Sequence, residues 1–136
     1  MQIRLFWVNF KRLFIVWWTA FFTEELRINA ASGSEAKLTL NVNNLTCETS
    51  SGAGVYLKGK AVNFEASSSS GSDIKAYDLE VENCIARASS GSNIKVNVSD
   101  SFGGKATSGA DIDYKGSPNI IDQHKNSGGS IRNHES

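Results

Sequence analysis

The sequence has one proline, Pro118, two cysteines, Cys47 and Cys84, two histidines, His124 and His134, and no tryptophan beyond Trp18. Each shortage removes a class of protein. A single proline excludes long polyproline linkers. Two cysteines make no disulfide framework of the kind that staples small secreted domains. Two histidines ten residues apart in a polar C-terminal tail, with no partnered cysteine spacing, give no metal site and read as solvated. Excess positive charge is missing too. The 14 basic residues balance 14 acidic ones, and three of the basic ones (Arg4, Lys11, Arg12) stand in the first 22 residues, which have no acid. The remainder therefore carries a net charge of about −3, without the clustered lysine and arginine that phosphate neutralisation needs. No nucleic-acid partner is expected.

A membrane-spanning run is also lacking. The apolar stretch Leu13–Phe22 is ten residues long, too short for about 30 Å of hydrocarbon. Extending it back to Ile3 brings Lys11 and Arg12 into mid-segment, where charge is costly. Residues 1–22 nevertheless differ in kind from the rest, holding all three tryptophans and five of the seven phenylalanines. They divide from residues 23–136 as an atypical apolar segment for which a helix is one open form. Its readings are an uncleaved membrane anchor, an atypical signal with no small-x-small cleavage site, or a mis-start ahead of an N-terminally truncated domain.

What is present is a repeat. Ser-Gly pairs occur at 32–33, 51–52, 70–71, 90–91, 108–109 and 127–128, spaced by 19, 19, 20, 18 and 19 residues. A fixed beat of this length outranks local signals. Aligned on the glycine, apolar columns emerge: Ala36, Val55, Ile74, Ile94, Ile112 and Ile131 three residues after it, and Leu38, Leu57, Ala76, Val96 and Tyr114 five after. Seven before it stand Leu26, Leu45, Phe64, Cys84, Phe102 and Ile121, and five before it Ile28, Cys47, Ala66, Ala86 and Gly104. Within a rung these positions alternate with polar ones, which is the period of strands with one buried face. The fold class predicted is all-β, a single-stack parallel β-helix (β-solenoid) of five to six rungs of about 19 residues. Glycine supplies positive φ at each corner, and the small serines before it are free to ladder. A disordered Ser/Gly segment has no reason to keep apolar columns in register, the leucine-rich signature is absent, and a β-sandwich is the remaining alternative.

Segment 88–98, Ala-Ser-Ser-Gly-Ser-Asn-Ile-Lys-Val-Asn-Val, resembles the repeated rungs of the putative auto-transporter adhesin, head GIN domain family. Segment 108–118, Ser-Gly-Ala-Asp-Ile-Asp-Tyr-Lys-Gly-Ser-Pro, resembles that family's closing rungs. The resemblance covers Thr23–Ser136 and is carried by register. It implies a β-helical module of the bacterial cell envelope or surface, with no catalytic residues to carry over. Family members usually have a signal or lipoprotein segment and further rungs where Met1–Phe22 stands here.

The chemistry-bearing candidates lie on the outer face. Two residues after the glycine run Glu35, Gly54, Asp73, Asn93, Asp111 and Ser130; two further on run Lys37, Tyr56, Lys75, Lys95, Asp113 and Arg132. From these, Asp73, Lys75, Asn93, Lys95, Asp111 and Asp113 form a candidate binding strip for a glycan or a surface protein, with Tyr56 and Tyr114 the only aromatics beside it. The blander reading is a solvated face of compensating charges. Self-association through open solenoid ends is a further expectation, because end rungs present unpaired strand edges; a membrane partner is expected only if residues 1–22 are an anchor. Asp73 and Asp111, two rungs and about 10 Å apart, also keep open a β-helix carbohydrate-active enzyme with paired carboxylates. Serines without an ordered histidine, and Gly103-Gly104-Lys105 without the spacing of a phosphate loop, add no catalytic motif. No cofactor or metal is implied, and a non-enzymatic module leads, with a non-functional fragment as the last alternative. Cys47 and Cys84, two rungs apart in apolar columns, are too distant for a disulfide and are expected to be free, buried thiols.

Overall fold

The computed structural model describes the backbone of residues 5–10 and 15–134, and side chains from Glu25 onward. The strands are β1 (Leu5–Phe10), β2 (Ile15–Ala30), β3 (Glu35–Thr49), β4 (Gly54–Ser68), β5 (Asp73–Ala88), β6 (Asn93–Ala106), β7 (Asp111–Lys115), β8 (Ile120–Lys125) and β9 (Ser130–Asn133). All pairings are parallel. The order is β1-β2-β3-β4-β5-β6-β7-β9, with β8 also on β6. Each strand pairs with the one a repeat later, which is the β-solenoid that the Ser-Gly beat predicts.

The apolar columns are the pairing register. Ala36 pairs with Val55, then come Ile74, Ile94, Ile112 and Ile131, every one at most 5% exposed. Leu26, Leu45, Phe64, Cys84 and Phe102 form a second buried column. In β5 the inward set is Ile74, Ala76, Leu79, Val81, Cys84, Ala86 and Ala88, and the outward pairs Tyr77-Asp78 and Glu82-Asn83 interrupt the alternation. Two successive outward residues turn the chain so that the next inward side chain enters the core from another side. With the Ser-Gly bend, these corners close each rung round one core. Ile121 keeps the second column's register, opposite Phe102, yet is 48% exposed, since no described strand pairs with β8 on its other side.

Each Ser-Gly corner uses two left-handed residues in succession. The serines have φ between 50° and 58°, and the corner glycines between 72° and 82°. Two positive φ values flanked by an i to i+3 hydrogen bond, such as Ser72 N–H to the Ser69 carbonyl at 3.2 Å, are the geometry of a type I′ turn. Non-glycine residues in that region cost of order 1–3 kcal/mol. The stack offsets this through a ladder, in which the Gly33, Gly52, Gly71, Gly91 and Gly109 N–H groups each donate to the serine carbonyl of the next corner at 3.0–3.1 Å. The hydroxyl ladder runs inside the corner. Thr49, Ser68 and Ser72 bond one another at 2.8–3.0 Å, and Ser92 donates to the Ser68 carbonyl.

The N-terminal segment departs from one expectation. Leu5–Phe10 and Ile15–Ala30 are strands, so a helix is not the form of these residues. β2 pairs with β3 from Ile15↔Glu35 onward, and strand pairing therefore begins upstream of Thr23. Backbone pairing needs no Ser-Gly corner, and a stretch rich in Ile, Val, Trp, Phe and Thr suits a strand. Among the described residues no helix is long and apolar enough to cross a membrane.

Cys47 and Cys84 are both free and buried, in adjacent inward columns two rungs apart. Burial pushes both thiols far above their ordinary value of 9.0, with the Glu48 carboxylate adding to the effect at Cys47. The folded chain keeps these protons while the unfolded chain releases them, so this contribution is intact below pH 9 and declines above it. Unfolding free energy is expected to fall by about 1.4 kcal/mol per thiol for each pH unit beyond 9. Urea titrations at stepped alkaline pH check this, and a C47A/C84A variant should lose that part of the slope.

Candidate binding face

The two outer columns lie side by side. Glu35, Gly54, Asp73, Asn93, Asp111 and Ser130 follow one another in register, as do Lys37, Tyr56, Lys75, Lys95, Asp113 and Arg132. All six candidate residues, Asp73, Lys75, Asn93, Lys95, Asp111 and Asp113, therefore share one face. Strand alternation puts both columns outward, and parallel pairing sets successive members about 4.8 Å apart. The Asn93 amide donates to Asp73 at 2.9 Å. Arg132 donates to Asp113 through Nε at 2.9 Å and stands 3.9 Å from Asp111. Asp73 and Asp111 are thus each engaged by a rung neighbour, on a half-exposed surface rather than in an enclosed cleft.

The cation-bearing column is built round aromatic rings. Tyr56 is 46% exposed and stands between Lys37 and Lys75, whose ammonium groups lie 5.5 and 4.9 Å from its ring centre. Lys75 Nζ also donates to the Tyr56 hydroxyl at 2.9 Å, and this bond, above all, raises the lysine's pKa and keeps it charged.

Tyr114 does not belong to this face. It is 4% exposed and stacks on Phe102 with ring centres 4.4 Å apart, as its place in the apolar column requires. The second outward aromatic is Tyr77. It sits in a bulge of β5, where register jumps between Ala76 and Glu80 and leaves Tyr77, Asp78 and Leu79 without partners on β6. Bulges re-aim side chains, and this one sends Tyr77 outward, with Lys95 and Lys115 ammonium groups 5.9 and 5.2 Å from its ring. Partial burial, with the Asp113 carboxylate, raises the Tyr77 phenol above its ordinary value. The signal in the sequence was the single 20-residue spacing, between Gly52-to-Gly71 and Gly91-to-Gly109 repeats of 19 and 18 residues.

Both histidines are exposed to solvent, as their polar surroundings predict, although they stand in or beside strands. His124 is in β8 with Asp122 at 3.3 Å, and His134 follows β9 with its ring stacked on Tyr77 at 6.3 Å. Among the described residues, no three His, Cys, Asp or Glu side chains are grouped so as to hold a metal ion.

Two solved structures share the fold. A protein described as a putative adhesin from Bacteroides fragilis is 23% identical, with a TM-score of 0.83, over 93% of this chain and 59% of its own. A protein described as a putative lipid binding protein from Parabacteroides distasonis is 18% identical, with a TM-score of 0.77, over the same shares of the two chains. The present chain thus spans about three fifths of the length of each, and at these identities the likeness concerns the fold alone. No curated protein matches the chain. The family profile described as putative auto-transporter adhesin, head GIN domain, matches residues 18–118, and the chain belongs to that family.

Proposed function

We propose that this chain is a non-enzymatic, adhesin-like binding module of the bacterial envelope or surface, which uses the outer face containing Asp73, Lys75, Asn93, Lys95, Asp111 and Asp113. The observation that carries this reading is the pair of charged columns held in register on a stiff, open face. Such a face presents fixed groups at little ordering cost, which favours binding. Its occupant is a glycan, a surface protein or a second copy of the chain. The descriptions of the two Bacteroidetes neighbours, one an adhesin and one a lipid binding protein, support a surface-binding role.

A second reading, a β-helix carbohydrate-active enzyme, rests on Asp73 and Asp111 sharing this face two rungs apart. One experiment separates the two. The full chain is incubated with immobilised envelope polysaccharide and with isolated cell-surface protein, and both retention and polymer length are followed. Saturable retention with constant polymer length is expected. A time-dependent shortening that disappears in D73N/D111N would establish the enzyme instead, and absence of retention on all surface material would remove the binding module.

A further inference from the structure

The tyrosine-lysine groove specifies the ligand class more narrowly. Tyr56, Tyr77, Lys37, Lys58, Lys75 and Lys95 line a groove of about 560 Å³ in which the acidic member is Asp78. This concentration of positive charge stands on a body whose residues 23–136 carry a net charge of about −3. The excess is local, and it follows the stack axis: Lys37, Tyr56, Lys75 and Lys95 are successive members of one column. Successive ammonium positions are therefore one or two rungs apart, about 5 or 10 Å. The rings hold them there, since a lysine over a tyrosine face gains cation-π attraction and loses side-chain freedom before any ligand arrives.

From this geometry we infer that the groove binds a single linear acidic polysaccharide strand, laid along the stack axis with its anionic groups on successive lysines. The inference deepens the binding-module reading and rests on it. Width decides against a flat anionic membrane surface. The adjoining column carries Glu35, Asp73 and Asp111, which a membrane would meet together with the lysines. A strand confined to the groove meets four lysines and two tyrosines against one carboxylate, Asp78. Tyrosine suits the role because its ring offers an apolar face to a sugar and its hydroxyl a polar edge.

The test uses the full chain with three probes: polygalacturonate, an unbranched polyuronate; dextran, an uncharged polymer; and vesicles of equal parts phosphatidylcholine and phosphatidylglycerol. Binding to polygalacturonate is expected, weakening as salt rises, with none to dextran. The triple variant K37Q/K75Q/K95Q, at three outward, half-buried positions, should bind about tenfold more weakly while keeping its circular dichroism spectrum. Y56F, which removes the hydroxyl that positions Lys75, should bind about two- to threefold more weakly. Undiminished binding by the triple variant, equal binding of dextran, tighter binding of the vesicles, or no binding of polygalacturonate by the unaltered chain would each overturn the inference. Its failure is distinct from that of the module itself. If the triple variant is still retained on envelope material, the groove is wrong and the module stands; if the unaltered chain is retained on no surface material, the module falls.

Discussion

Replacing Gly59 by alanine is expected to destabilise the stack by at least about 3 kcal/mol, among the largest effects of any single methyl group in this chain. Two independent penalties coincide. Gly59 has φ of +119°, a region that L side chains rarely adopt, and a Cβ built there would lie 1.9 Å from the Leu40 carbonyl oxygen. That oxygen belongs to the backbone of the adjacent rung, so no rotamer change relieves the clash. Gly59 pairs with Leu40 on one side and Leu79 on the other, and the rungs on both sides must move. Gly103→Ala is the matched control. Its added Cβ would meet Ile85 Cγ1 at 3.9 Å, an ordinary contact, and its φ is not positive. A stack that contacts only its neighbours loses stability locally, so hydrogen exchange on β3, β4 and β5 is the measurement to make alongside urea unfolding. Exchange should accelerate in those strands for G59A and stay near its original rate for G103A. Equal behaviour of the two variants would show that the rung is far more compliant than its geometry implies.

Gly59 also illustrates what could be read from the sequence and what could not. An in-register parallel stack demands like residues at like positions, so six Ser-Gly pairs and their apolar columns gave rung number, inward faces and the adjacency of Asp73, Lys75, Asn93, Lys95, Asp111 and Asp113. Departures from strict register were not legible, because a fixed offset from the glycine fails wherever residues are inserted. The β5 bulge adds residues after Ala76, and β6 regains one between Val98 and Ser101. Tyr77 therefore falls in no column, and its place over Lys95 and Lys115 is visible only in three dimensions. Tyr114 is ambiguous for the opposite reason: its offset from the glycine puts it in an apolar column, while an aromatic with a hydroxyl also suits the outer face. It is buried, with its hydroxyl accepting a hydrogen bond from Gln123 at 3.3 Å. The corner serines were hidden too. Serine ordinarily avoids positive φ, and only the ladder between successive corners makes it tolerable. The start of pairing at β1 and β2 was missed because it has no Ser-Gly mark.

The second large effect concerns how each rung fills the core. Phe102 is 1% exposed, and its inward neighbour in the same rung is Gly104. A Cβ at Gly104 would lie 2.9 Å from the Phe102 Cζ atom and 3.1 Å from Ile131 Cδ1, so the ring occupies the space that a side chain at 104 would claim. The rung of Phe64 shows the same economy, with Ala66 two residues on, whereas the rung of Leu45 has Cys47 there. In the two phenylalanine rungs the large ring in one inward column is matched by a small residue in the next, whereas the Leu26 rung carries Ile28 there. Phe102→Ala is accordingly expected to cost about 3–5 kcal/mol, from lost transfer energy and the cavity left behind, and it also removes the stack on Tyr114. Gly104→Ala alone should destabilise as well, because the ring or Ile131 must give way. In the F102A background the same change should be neutral or stabilising, since the new methyl group enters the vacated space and glycine's excess chain entropy is removed. The double-mutant cycle should thus show a coupling of about 1 kcal/mol or more in favour of the pair. Additivity would mean that the ring and residue 104 do not compete for one space, and that the small residue beside each phenylalanine is incidental to how the solenoid packs.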